Sequence, residues 1–511
     1  MRSRLASNVM WNWAGMGVTM LTGFLVAPYL VLRLGDTAYG LWILIASMSG
    51  YFGLLDLGVR GSVGRYVAYY RARDEHEEVN RTLSTSLLIL SGVSLLALLA
   101  TFAVLLFFFH IFEVPAEYAS AARISILVIG INLAMTFPVT VFDGVLWGFE
   151  RFDLLNAVDI PTVLLRTALT FWLVKGPADI TVLAWITLAS TLGNEVVKLA
   201  ISFMVEPRLR VSISRFSVAH AKQLYGYGFW QFLLQIARQT SGQIGPLLIG
   251  SLVAVAAITP FSIASRLLSY AAGFMVAATG AMTPMATAMH AKNDKLAEQH
   301  LFLEGGRWCT AFALFAGACL MLLGGPFLEL WMGRAIARDA MPALVILTAG
   351  ELLAMSQWLT FSMILGKAKH RALALAGLVE GLVAGLGGLL AAKYWGVTGV
   401  CVAFGVAAMG CRGIFQMIYG SRIMGMRTSH YVLHSLLIPL LVALLPCALL
   451  LTATLIRRPS SWPEMFLYGG GFVAVYGGNA FLLLGGRKYL SRRPEPAGAE
   501  WAVPEMEKVN G

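Results

Sequence analysis

Leu83–Phe109 reads LSTSLLILSGVSLLALLATFAVLLFFF, 27 residues without a charge or a proline. As an α-helix this run would be about 40 Å long, enough to cross the roughly 30 Å hydrocarbon core of a bilayer. Thirteen more apolar segments flank it: 8–32, 40–59, 122–147, 155–174, 180–204, 224–252, 260–288, 307–331, 341–365, 372–392, 397–419, 431–456 and 464–485. They are continuous rather than alternating, so they predict spanning helices and not the ten-residue strands of a barrel. Of the 511 residues, 58% are hydrophobic and 13% charged, against about 25% charged in soluble domains. The expected fold is an all-α polytopic membrane protein of about 14 transmembrane helices. That excludes a soluble enzyme on one anchor, and it excludes a nucleic-acid binder despite a pI near 9.5.

The net charge of +11 has to be read by position. With the N-terminus on the cytoplasmic side, 25 of the 38 Lys and Arg fall in cytoplasmic loops and 8 in loops on the other face. This is the positive-inside bias of a multi-pass bacterial inner-membrane protein with both termini cytoplasmic. The five cysteines all lie in apolar stretches with no Cys-x-x-Cys pair, which reads as core packing. No P-loop is present, because Gly305-Gly306-Arg307 and Gly485-Gly486-Arg487 lack the Gly-Lys-Ser/Thr ending. No metal-ligand spacing occurs either, so no cofactor is expected.

Trp11…Pro28 in the first segment and Trp230…Pro246 in the seventh each set an aromatic about one helix-length before a proline. Six crossings per half imply a parallel repeat about an axis along the membrane normal. The expected organisation is therefore an N-lobe over residues 1–210, a C-lobe over 211–425, helices 13 and 14 over 426–486, and a disordered cytoplasmic tail over 487–511. Pro28, Pro246 and Pro284 are candidate helix kinks.

Ionisable residues inside lipid are costly and face bundle interiors or wet cavities. Asp56 and Arg60 stand four apart at the end of segment two, Asp143 lies in segment four, and Asp159 and Arg166 lie in segment five. Glu195 and Lys198 are three apart, a spacing at which they can pair on one helix face. Those two, with Arg166, Glu351 and Glu380, are candidates for ion coupling or internal ion pairs. Arg238 and Arg266 have no acid in their own segments. They read as a cationic lining for an anionic substrate, because a guanidinium matches phosphate oxygens bidentately. The alternative is pairing with a buried acid such as Glu351 or Glu380. Segment seven is unusually polar, with Gln235, Gln239 and Gln243 around Arg238.

Three stretches, RLGDTAYGLW at 33–42, LLDLGVRGSVGRYVA at 54–68 and GVLWGFERFD at 144–153, resemble the polysaccharide-transport branch of the multidrug/oligosaccharidyl-lipid/polysaccharide exporter superfamily. That branch contains the O-antigen and exopolysaccharide-unit flippases. The resemblance is best over residues 1–220. It implies two six-helix lobes in a V around a central cavity, with Asn12, Asp56, Arg60, Gln235, Arg238 and Arg266 on or near it. The implied substrate is an undecaprenyl-pyrophosphate-linked glycan, moved from the cytoplasmic to the periplasmic leaflet by alternating access. Membrane lipids and the polysaccharide-assembly polymerase and glycosyltransferases are the implied partners. A cation-coupled multidrug antiporter of the same superfamily is the alternative. It is less favoured because segment one carries no Asp or Glu, where such antiporters often hold an acidic coupling residue. A polytopic polymerase or ligase is the third reading, weakened by short outer loops.

Overall fold

The computed structural model describes residues 2–280, 282–367 and 369–484, and for some helical residues, Arg238 and Pro284 among them, the backbone alone. The expected 487–511 tail lies outside the described residues. Every described element is helical, and each of the fourteen apolar segments becomes helix. Helix α1 (Arg2–Phe52) holds segment one and most of segment two, turning at Gly35. It is followed by α2 (Val59–Arg71), α3 (His76–Ile111), α4 (Ala116–Val139), α5 (Val141–Gly148), α6 (Phe152–Leu173) and α7 (Ile180–Val205). The chain goes on through α8 (Val218–Leu252), α9 (Ile258–Gly280), α10 (Met282–Ala291), α11 (Lys295–Ala318), α12 (Gly324–Met332), α13 (Arg334–Ser356) and α14 (Trp358–Gly366). Segments eleven and twelve share α15 (His370–Ala408), which turns at Gly396 and passes through a π-helical stretch, Met409–Phe415, into α16 (Gln416–Ile423). The last elements are α17 (Thr428–Tyr431), α18 (Ile438–Ile456) and α19 (Trp462–Leu483).

Ten helical stretches among the described residues are long and apolar enough to cross a membrane, and two of them, Met10–Asp56 and Arg371–Ile423, each contain two of the fourteen segments. The protein is an all-α polytopic membrane protein. Helix α3 shows how such a helix is read by its surroundings. Leu90, Val93, Ala97 and Thr101 are buried, while Leu95, Leu99, Phe102 and Leu106 are exposed. In water that outer stripe would be an aggregation surface, whereas in lipid it faces its own solvent. Helix α8 differs. Its sequence places Gln231, Gln235, Gln239 and Gln243 at four-residue intervals, a polar stripe within the apolar run.

Pro28 and Pro246 lie inside α1 and α8, which run on past them. The large departure from helical geometry in α1 is at Gly35, with φ 77° and ψ 170°. All five cysteines are free, with Cys309 and Cys401 fully buried.

Packing determines what reaches the site. Helix α1 lies on α6, α8 and α9, α2 lies on α5, and α4 lies on α7. Further along, α8 lies on α15, α9 and α15 both lie on α13, and α18 lies on α19 and α11. Where α1 meets α12, Phe24 stacks on Trp331 at 4.6 Å between ring centroids, and the Trp331 indole N–H donates to the Phe24 carbonyl at 3.1 Å.

Candidate functional site

The stretch LLDLGVRG does not continue the helix of segment two. After a single 3-10 turn, Gly53–Asp56, the backbone enters the left-handed region at Leu57 (φ 49°) and Gly58 (φ 81°). The Gly58 N–H donates to Asp56 Oδ1 at 2.9 Å, a local side-chain to backbone bond that competes with the helix ladder. Helix α2 then restarts at Val59. Asp56 and Arg60 therefore do not share a helix face, as their spacing predicts for a continuous helix, and Arg60 reaches Asp143 on α5 instead, at 3.6 Å.

That reach depends on a close approach of α2 to α5. A Cβ on Gly64 would come within 2.8 Å of the Trp147 ring, and one on Gly144 within 2.6 Å of Val63 Cγ1. Small residues at membrane helix crossings let backbones approach in this way. The second and third motif stretches are thus packed against each other. Just beyond, Arg151 Nε and Nη2 donate to the Asp153 carboxylate at 3.0 and 2.9 Å. These bonds hold the Asp153 carboxyl below its ordinary value.

Between α2, α5, α6 and α7 lies a cavity of about 570 Å³. Its wall carries Asp56, Arg60, Asp143, Asp159 and Lys198, together with Thr140, Trp147 and Gln235 from α8. Lys198 Nζ lies 2.9 Å from Asp159 Oδ1 and 3.2 Å from Asp143 Oδ1, and only 7% of its side chain is exposed. Asn194 Nδ2 donates to Asp159 at 2.9 Å and to Thr162 Oγ1 at 3.1 Å, fixing the second carboxylate. The Glu195–Lys198 pair expected from spacing is not what forms. Lys198 turns to α5 and α6, and Glu195 is buried with Oε2 lacking a hydrogen-bond partner. The physical reason is that two carboxylates converge on Lys198 from neighbouring helices.

Of the six residues expected at the cavity, Asp56, Arg60 and Gln235 line it. Asn12 is exposed on α1, and its Oδ1 accepts from Asn156 Nδ2 at 3.1 Å. Arg266 on α9 is half-buried and hydrogen-bonds the Tyr270 hydroxyl, with no carboxylate partner among the described residues. The Arg238 side chain lies outside the described residues. Arg166 is exposed on α6, also without an ion-pair partner among the described residues. Asp143 and Asp159 were visible as intramembrane acids. Their place in the cavity shows only once α5 and α6 are set beside α2.

A second charged cluster lies far along the chain. Arg412 Nε donates to Glu380 at 2.9 Å, and its Nη1 and Nη2 engage Glu351. The π-helical stretch that carries Arg412 aims the guanidinium at both acids. A larger cavity, about 850 Å³, is apolar along Phe274, Met275, Met282, Trp308 and Phe481, with Thr279, His300 and Glu304 among its polar residues.

The fold and the site define a polytopic membrane protein with a charged cavity inside its helix bundle. Residues 5–290 match the family of polysaccharide biosynthesis proteins, and the chain belongs to that family. It is 24% identical over 494 residues to the uncharacterized membrane protein EpsK of Bacillus subtilis (strain 168), covering 91% of this chain and 94% of the relative. It is 22% identical over 240 residues to a putative O-antigen transporter of Shigella flexneri, covering 45% of this chain and 54% of that protein. In three dimensions it is similar to the lipid II flippase MurJ in an inward closed conformation, with a TM-score of 0.72 and 13% identity over 95% of this chain and all of that one. The all-α membrane fold expected from the apolar segments and the family expected from the three motif stretches are borne out.

Proposed function

We propose that the protein is a flippase that carries a lipid-linked oligosaccharide, a glycan on an undecaprenyl pyrophosphate carrier, between the leaflets of the bacterial inner membrane for surface-polysaccharide synthesis. One observation carries the reading. The two motif stretches of the family pack together to build a charged cavity within the membrane, with a half-exposed guanidinium, Arg60, on its wall. A pyrophosphate needs such a cation away from bulk water. Arg266, which no carboxylate neutralises among the described residues, supplies a second, and Arg238 is the third proposed ligand. The 850 Å³ apolar cavity suits the hydrocarbon carrier. Two lobes over 1–210 and 211–425, with the termini cytoplasmic, provide the frame for alternating access.

The test is reconstitution into vesicles that carry a polyprenyl-pyrophosphate-linked oligosaccharide in both leaflets. With active protein, an impermeant glycan-oxidising reagent should reach the whole pool. If only the outer-leaflet fraction reacts while the protein is folded and inserted, the flippase reading fails.

A further inference from the structure

Beside the cavity lies a buried acid with one carboxylate oxygen unpartnered. Glu195 lies on α7 one turn before Lys198, 5% exposed, with Oε2 buried and without a hydrogen-bond partner. Four charged groups face it: Asp143 from α5, Asp159 from α6, Arg60 from α2, and Lys198 on its own helix. The two cations offset Asp143 and Asp159, but Asp56 on the cavity wall also lies near Arg60, so the acids outnumber the cations before Glu195 is counted. Ionising Glu195 adds a further negative charge out of water, which is unfavourable. A proton on Glu195 is the smallest charge that offsets this excess.

The two cations are not equivalent. Lys198 is enclosed between its partners, whereas the Arg60 side chain is 52% exposed and only 3.6 Å from a single oxygen of Asp143. A phosphate entering the cavity can take the guanidinium fork from Asp143. Asp143 then shares Lys198 with Asp159, and the cluster becomes more negative beside Glu195.

We propose that Glu195 is a proton-binding site linked to phosphate occupancy of Arg60: the substrate's pyrophosphate and a proton bind together. This rests on the flippase reading and deepens it. The proton comes from bulk water by way of Asp143, which lines the cavity, and adds to a Glu195 carboxylate oxygen; no other bond changes. By linkage, uptake per bound phosphate is near zero at acid pH, where Glu195 already holds its proton, rises toward one where only the phosphate-bound state holds it, and falls again at higher pH where neither does.

The experiment is calorimetric titration of the full chain in lipid nanodiscs with inorganic pyrophosphate, in buffers of different ionisation heat, across pH. Wild-type protein should show this rise and fall of uptake. Glu195→Gln should bind pyrophosphate with uptake lower by up to one proton, leaving only the probe's own protonation. Equal uptake in both proteins overturns the proton site and leaves the flippase reading standing. Binding that requires sodium and takes up no proton overturns it in favour of a metal cation. No pyrophosphate binding by wild type at any pH overturns both readings. If Glu195→Gln does not fold, Glu195→Asp keeps an acid on a shorter arm and should shift the pH of maximal uptake; an unmoved maximum overturns the proposal.

Discussion

Lys198 and Arg412 make the same bridge in the two halves of the chain. Each is an intramembrane cation on the sixth apolar segment of its half, and each binds one acid from the fourth segment and one from the fifth. The acids are Asp143 and Asp159 in one half and Glu351 and Glu380 in the other. This correspondence supports the proposed parallel repeat more specifically than the aromatic–proline spacing does. The two triads differ in exposure: Asp159 is 46% exposed and faces a cavity, while Glu380 is 5% exposed. The first is placed to respond to a ligand, and the second to hold helices together.

Arg412 is accordingly a stability residue. Replacing it by Ala would leave two carboxylates in the bundle without their shared cation, a loss of about 3–5 kcal/mol for a broken buried pair. Arg412→Lys keeps the charge but loses the fork that reaches both acids. Thermal unfolding in detergent should rank wild type above Arg412→Lys and Arg412→Ala last, and an Ala variant as stable as wild type would contradict the assignment.

The contact between α2 and α5 can be tested with its own control. Gly64→Leu forces a side chain into the Trp147 ring and should cost about 1–3 kcal/mol of overpacking, with loss of transport as Arg60 is displaced from Asp143. Gly92 on α3 has open space where its Cβ would be and lies outside the cavity lining, so Gly92→Leu should keep both stability and transport. Equal behaviour of the two variants in unfolding and transport assays would remove the close approach from the account.

The side of the membrane on which each loop lies makes a third prediction. Arg215 Nε donates to Glu77 at 3.1 Å, and His220 Nε2 lies 2.9 Å from Glu78, so the start of α3 and the chain between α7 and α8 share a face. The charge bias predicts that face to be cytoplasmic. Asp36 and Asp339 are near enough for their like charges to interact, so those two corners lie together, on the face that the same bias predicts to be external. Reporter fusions after Arg81 and Arg215 should read cytoplasmic, and fusions near Pro115 and Arg338 should read external. Reversal at two or more sites would overturn the topology.

Much of this was legible in the sequence, and the limits have physical causes. Segment positions followed from runs of apolar residues, because lipid requires every backbone group to be bonded within its own helix. The family followed from three short stretches that prove to be packing and turn elements. The ion pairs were not legible. Periodicity reports only neighbours on one helix, so it offered Lys198 as a partner for Glu195 and gave Arg60 no partner on another helix. The approach of Asp143 and Asp159 from neighbouring helices to Lys198, and of Asp143 to Arg60, decided the pairs. For the same reason Glu351 and Glu380, considered as partners for Arg238 or Arg266, are bound by Arg412 from a third segment.

Arg266 is where a binding role and a structural role predict different things. It hydrogen-bonds Tyr270, and Tyr270 abuts α1: a Cβ on Gly23 would lie 2.7 Å from the tyrosine hydroxyl. Since no carboxylate among the described residues depends on Arg266, removing it leaves no buried acid behind, unlike Arg412. Arg266→Ala should therefore accumulate near the wild-type level in the membrane. If the guanidinium binds the substrate's pyrophosphate, losing one charge-assisted hydrogen bond of about 1.5–3 kcal/mol weakens binding roughly 10- to 150-fold. Arg266→Lys should recover only part of that, because the bidentate fork is gone. The same comparison applies to Arg238. The measurement is translocation of the lipid-linked glycan per folded molecule, and an undiminished rate at subsaturating substrate in both Arg→Ala variants would take these residues out of the binding site.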